Sequence, residues 1–300
     1  MMLSYEKFKE EVRKNFVGYM PKKYHSMSVL IKPTEKVNRV CDALCLNEGG
    51  VRPTVYLDEM YEQYTSGESF DNVLEDAAKR MIMGYKQIPD VDVKNICDKG
   101  KITFHLINTV QNQKMLANVP HREFNDLSII YRRIMDSETD KGVQSFVITN
   151  KIAEVLKLDE KDLYNLAMMN TKKLFPPVVY TMQDLFAQMG VSGIDLSIPF
   201  PMYIITNECK VGGAASILYD DVLYDLANKL DTNLYLLPSS IHEVIAIPFN
   251  PESLKDLEEM VYAVNMDEVD VSDRLSNEVY FYDKKTRKLS LATNTKKKLT

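Results

Sequence analysis

The chain alternates between two hydrophobic rhythms, and each change of rhythm marks an element. The run MYIIT (202–206) is short, apolar and β-branched, which predicts a buried strand. Residues 207–213 are turn chemistry and end in a glycine pair that tolerates positive φ. AASILY (214–219) predicts a second strand. Asp220 or Asp221 then stands where a carboxylate caps a helix, with Val222, Leu223, Leu226 and Leu230 at helical spacing. Residues 234–237 and 244–248 predict two further strands, joined by a turn at 238–243. Asn250 and Pro251 open another helix, striped by Leu254, Leu257, Val261 and Val264.

Earlier segments follow the same grammar. Ser4 heads a helix carrying Tyr5, Phe8, Val12 and Phe16 on one side. Residues 28–31 and 40–46 read as a strand pair, followed by a turn at 47–50. Pro53 and Thr54 open a helix with Leu57, Met60, Tyr61 and Tyr64; Gly67 separates it from a second helix over 70–83. Residues 84–101, with Pro89 and Gly100, read as a connector. ITFHLI (102–107), LSIIYRRIM (127–135) and VQSFVIT (143–149) are strand-like, with a short helix in 111–119 and a hairpin loop at 136–142. Asp159 caps a helix whose start is acidic and whose end carries Lys172 and Lys173, as the helix dipole prefers. A short amphipathic piece spans 181–189, and 279–283 with 288–292 predicts a terminal hairpin. FVITN (146–150) echoes YIITN (203–207), which raises the idea of duplicated units.

This order predicts an α+β class. Antiparallel or mixed sheets are built from strand–strand–helix units, with helices on one face and a helix-rich N-terminal part. The expected divisions are an N-terminal and middle region (1–189, with a sub-boundary near 84–101), a linker (190–201, GVSGIDLSIPFP), a C-terminal domain (202–292) and a fraying tail (293–300).

Composition narrows the function classes. At 45% hydrophobic and 27% charged residues, the chain can bury a core. A net charge of −6 makes nucleic acid an unfavourable default partner, since phosphate is held through Lys and Arg. No apolar run approaches membrane-helix length and the N-terminus lacks a signal-peptide core, so a cytoplasmic protein with no membrane partner is expected. Cys41, Cys45, Cys97 and Cys209 show no metal-ligand spacing and read as free thiols in a reducing compartment. No metal and no cofactor is expected.

Several segments carry a resemblance together: PHREFNDLSIIYRR (120–133), DLYNLAMMNT (162–171) followed by LFPP, GGAASILY (212–219) and LYLLPSSIHEVIAIP (234–248). The chain resembles an uncharacterised bacterial domain-of-unknown-function family frequent in anaerobic gut bacteria. The resemblance covers nearly the whole chain. It implies a bacterial cytosolic protein and brings no activity, cofactor or catalytic residue with it.

The candidate chemistry is sparse. Ser240, His242 and Glu243 share the turn at 238–243, where a serine nucleophile with a histidine base is conceivable. His242 and Glu243 are neighbours and point apart on a strand, and neither HExxH nor GxSxG is present. His121, Arg122 and Glu123 place a base, a cation and a carboxylate side by side, as ligand holders or as a polar loop. Asn207, Gly212 and Gly213 form a turn through which backbone could approach a phosphate, without a GxGxxG or P-loop pattern. Tyr131, Arg132 and Arg133 lie on a strand, where adjacent arginines project to opposite faces. The leading expectation is a non-catalytic binding or protein-interaction module, with another protein as a partner. The alternatives are a hydrolase or transferase using His242 or His121, and a nucleic-acid-associated protein.

Overall fold

The computed structural model describes residues 2–47, 52–87, 98–135, 144–188, 190 and 201–293. The sequence's turn at 47–50, connector at 84–101, loop at 136–142, linker at 190–201 and tail at 293–300 lie wholly or largely outside the described residues. The chain forms two compact units, Met1–Ile96 with Asp136–Gly142, and Cys97–Met135 with Val143–Thr300.

The first unit joins helix α1 (Tyr5–Asn15), strands β1 (Val29–Lys36), β2 (Arg39–Leu46) and β3 (Val55–Tyr56), and helices α2 (Leu57–Thr65) and α3 (Phe70–Gln87). The strands form an antiparallel sheet in the order β1-β2-β3. Phe8, Val12, Leu44, Leu57, Met60, Leu74 and Met81 are buried in one cluster, so the apolar stripes of three helices meet one side of β2. Two details differ from the sequence reading. Residues 55–56 pair with β2 before the helix begins at Leu57, so Pro53 and Thr54 do not open it. Helix α3 also continues through Gly84, where a Cβ would lie 2.7 Å from Pro53 Cβ. That glycine makes room for a packed proline and does not end the helix.

The second unit holds two sheets. In the smaller one, β4 (Ile102–Asn108) pairs with β6 (Leu127–Ile134), and β6 pairs along its other edge with β5 (His121–Phe124) and β7 (Ser145–Val147). Short helix α4 (Gln113–Leu116) lies between β4 and β5, and α5 (Asn150–Leu156) and α6 (Glu160–Leu174) follow β7. Asp159 caps α6 as the sequence predicts, accepting from the Asp162 N–H at 2.8 Å. Helix α6 shields the free edge of β4: Asn170 Nδ2 donates to the Lys99 and Ile102 carbonyls, and Thr171 Oγ1 accepts from the Phe104 N–H.

The larger sheet is six-stranded and antiparallel, ordered β13-β12-β10-β11-β9-β8. Its strands are β8 (Pro177–Thr181), β9 (Tyr203–Asn207), β10 (Leu234–Leu237), β11 (Val244–Pro248), β12 (Tyr280–Asp283) and β13 (Lys288–Leu291), with helices α7 (Met182–Gln188), α8 (Asp220–Leu230) and α9 (Leu254–Asp267) between them. The α+β class and the antiparallel pairing match the sequence reading. The single helical face does not hold for this sheet. Leu254, Leu257 and Val261 of α9 bury Tyr235, Leu237 and Ile247, while Asp220 of α8 accepts from Tyr282 Oη, which leaves the opposite face. Every residue of β9 and β10 is buried, so both faces need cover.

Residues 214–219 are not a strand. They lie in a 3₁₀ turn, Gly213–Leu218, whose Ser216 Oγ donates to the Thr206 carbonyl at 2.9 Å. Both edges of β9 are taken by β8 and β11, so a following segment has no edge to join and coils over it. Asp220 and Asp221 sit in the first turn of α8 without capping it through their side chains. The echoing segments 146–150 and 203–207 fall in different sheets, one at an edge and one in the interior. No helix among the described residues is long and apolar enough to cross a membrane.

Candidate functional site

The polar turns of the second unit meet at one corner of the two sheets. Strand β9 ends in Asn207, whose side chain closes the following loop by accepting from the Val211 N–H (3.3 Å) and donating to its carbonyl (2.9 Å). The chain then reaches Gly212 at φ 63°, a left-handed conformation that favours glycine. A Cβ at Gly212 would lie 2.8 Å from Cε1 and Nε2 of His105. A Cβ at Gly213 would lie 2.1 Å from Thr206 Oγ1 and 2.5 Å from the His242 carbonyl oxygen. The glycine pair is therefore a close approach of backbone to two histidine-bearing segments.

His242 is held from every side. Its carbonyl accepts from Thr206 Oγ1 at 2.7 Å and its N–H donates to Ser240 Oγ at 3.0 Å. Its ring Nδ1 accepts from the Gly212 N–H at 3.3 Å, which leaves the ring proton on Nε2. Nε2 faces Asp273 Oδ1 at 3.5 Å. Asp273 is placed there because its carbonyl accepts from the Ile241 N–H, while residues 238–240 bridge to 274–276.

His105 comes from the middle of β4. His105 and His121 both pair with Ile130, so both imidazoles leave the same face of the smaller sheet. Arg132 is two residues along β6 and shares that face. Burial, with Arg132 and then His242 nearby, pulls the His105 pKa from its ordinary 6.5 down to about 3, so the ring is neutral. Neither ring nitrogen of His105 has a hydrogen-bond partner among the described residues. Arg132 Nε donates to Ser145 Oγ at 2.9 Å and Nη2 to the Ser145 carbonyl at 3.1 Å, both neutral acceptors.

Arg122 lies on the other face. It forks onto both oxygens of Glu160 (3.0 and 2.8 Å) and stacks over Tyr164 at 3.7 Å. Tyr131 also donates to Glu160. Burial pushes Glu160 up, but the Arg122 and Tyr131 hydrogen bonds outweigh it and hold its carboxyl below the ordinary range.

The structure therefore gathers Ser240, His242, Asn207, Gly212 and Gly213 and separates the other candidates. His121 turns its Nδ1 to the Val119 carbonyl (3.0 Å) at the rim of an open depression of about 660 Å³. Glu123 is exposed on His121's face, and Arg122 is turned away from both. Glu243 is exposed, beyond the turn that holds His242, and close enough to Tyr180 to help raise that phenol after burial does so. His105, Arg132 and Asp273 complete the corner. The signal for His105 was a lone histidine inside ITFHLI. Nothing local announced Asp273, which is brought in by strand pairing. Among the described residues no group of three His, Cys, Asp or Glu could hold a metal ion. Cys41 is buried, Cys45 half-buried and Cys209 exposed, all free thiols; Cys97 lies outside the described residues.

No curated protein and no solved structure matches the chain. One family model does, over residues 5–284, and by that match the chain belongs to the family of unknown function DUF5688.

Proposed function

We propose that the chain is a non-catalytic binding module of the bacterial cytoplasm, with the corner around Gly212, His242 and His105 as a binding surface. One observation supports this most: among the described residues no hydrogen bond joins the Ser240 hydroxyl to an imidazole nitrogen. Ser240 Oγ accepts from the His242 N–H, His242 Nδ1 is occupied by the Gly212 N–H, and Nε2 faces Asp273. A nucleophile needs its base within hydrogen-bond reach, and this serine and this ring are turned to other tasks. The nucleic-acid reading gains nothing from the smaller sheet. Tyr131 and Arg132 leave opposite faces, and Tyr131 is engaged with Glu160.

A second reading has its own observation. Asp273 behind His242 is the arrangement that orients a general base. The two are separated by assaying the purified chain and its His242→Ala variant against chromogenic esters, amides and phosphate esters. No His242-dependent turnover is expected. Turnover lost in that variant would replace the binding reading with the catalytic one.

A further inference from the structure

We propose that Arg132 and His105, beside His242, form a binding site for a small oxyanion, a phosphate or carboxylate group. The inference rests on reading this corner as a binding surface and names what that surface takes.

Among the described residues Arg132 has no carboxylate partner. Arg132 is half-buried, and among the described residues its guanidinium bonds only to the hydroxyl and carbonyl of Ser145. Burial lowers its pKa. A desolvated cation without a counter-ion is unfavourable, and an anion from solution relieves it. The neighbouring imidazole answers the same field by staying neutral.

Geometry then supplies donors. Arg132 and His105 leave the same face of adjacent strands as diagonal neighbours, about 7 Å apart at their Cβ atoms. Gly212 lies against the His105 ring, and its N–H binds the His242 ring. The two imidazoles thus flank one glycine that has no side chain to fill the space. Neutral His105 keeps an unused N–H, and the guanidinium retains N–H groups beyond those given to Ser145, whereas both ring nitrogens of His242 are already engaged by Gly212 and Asp273. A planar fork beside one imidazole donor matches the oxygens of a phosphate or carboxylate. The Asp273 carboxylate faces Nε2 of His242 at 3.5 Å, so the donors left for an anion are those of Arg132 and His105.

The chain has four histidines, so its imidazole resonances can be followed singly. The experiment is a ¹H–¹⁵N titration of the histidine rings of the full chain with inorganic phosphate at low ionic strength, with acetate as a second arm. His105 and His242 are expected to shift saturably in the millimolar range with at least one anion, while His25 stays still. Arg132→Gln is expected to weaken that response about tenfold or more. Equal response in Arg132→Gln, or no saturable shift of His105 with either anion, overturns the site. Should Arg132→Gln fail to fold, the wild-type titration still decides by the second criterion. Turnover of a phosphate ester would overturn the non-catalytic reading and leave this site in place. An absent anion response without turnover would do the reverse.

Discussion

The two faces of the smaller sheet treat their arginines in opposite ways. On one face Arg122 meets both oxygens of Glu160, lies over Tyr164, and shares that carboxylate with Tyr131. On the other face Arg132 meets, among the described residues, only a serine, beside a neutral histidine. The first cluster is self-sufficient: each charge has a partner, and the cluster ties β5 and β6 to the start of α6. The second leaves a cation and an imidazole in want of an acceptor. One arginine holds the fold together, and the other is available to a ligand.

The contrast can be broken at several places. The largest loss is expected from Gly213→Ala, where the new methyl meets the Thr206 hydroxyl and the His242 carbonyl. Relief requires backbone movement, and denaturant unfolding should show about 3 kcal/mol of destabilisation. Next comes Glu160→Gln on the self-sufficient face. It strips the charge from the Arg122 fork and should cost about 2 kcal/mol by the same measurement, reduced from buried-pair values because both side chains are partly exposed.

His105 gives a pH signature. Its folded pKa lies near 3 and its ordinary value is 6.5, so the unfolded chain binds the extra proton between those limits. Its contribution is present above pH 6.5 and is lost as pH falls toward 3, with a slope of at most about 1.4 kcal/mol per pH unit. Unfolding of His105→Phe across that window should lose this part of the slope. An unchanged slope would mean the ring is not held neutral. The smallest effect is expected from Arg132→Met. Without ligand it should cost less than about 1 kcal/mol, because an uncompensated cation is removed along with its bonds to Ser145. Arg122→Met should cost clearly more.

Most of the fold was legible in the sequence where a single segment carries its own reason. Asp159 caps α6, and Leu254, Leu257 and Val261 of the predicted stripe face a core, while its fourth member, Val264, is exposed and Asn265 is buried in its stead. Residues 214–219 failed because AASILY has strand-like composition, while the fold offered it no free edge. Residues 121–123 read as ligand holders or a polar loop because they carry no apolar alternation; pairing with β6 makes them part of strand β5. The corner was half legible. Its turn residues stood together in the sequence, but His105, Arg132 and Asp273 arrive from positions 105, 132 and 273, joined only by register. Parity along ITFHLI and LSIIYRRIM could place His105 and Arg132 on one face only once their pairing is known.

The most direct measurement is thermal unfolding in phosphate against chloride at matched ionic strength, for the wild-type chain, Arg122→Met and Arg132→Met. A ligand bound by the folded state alone raises the melting temperature. Phosphate is expected to stabilise the first two chains and leave Arg132→Met unmoved. Equal stabilisation of all three, or none in the wild type, would contradict the claim that Arg132 is the arginine left open for an anion.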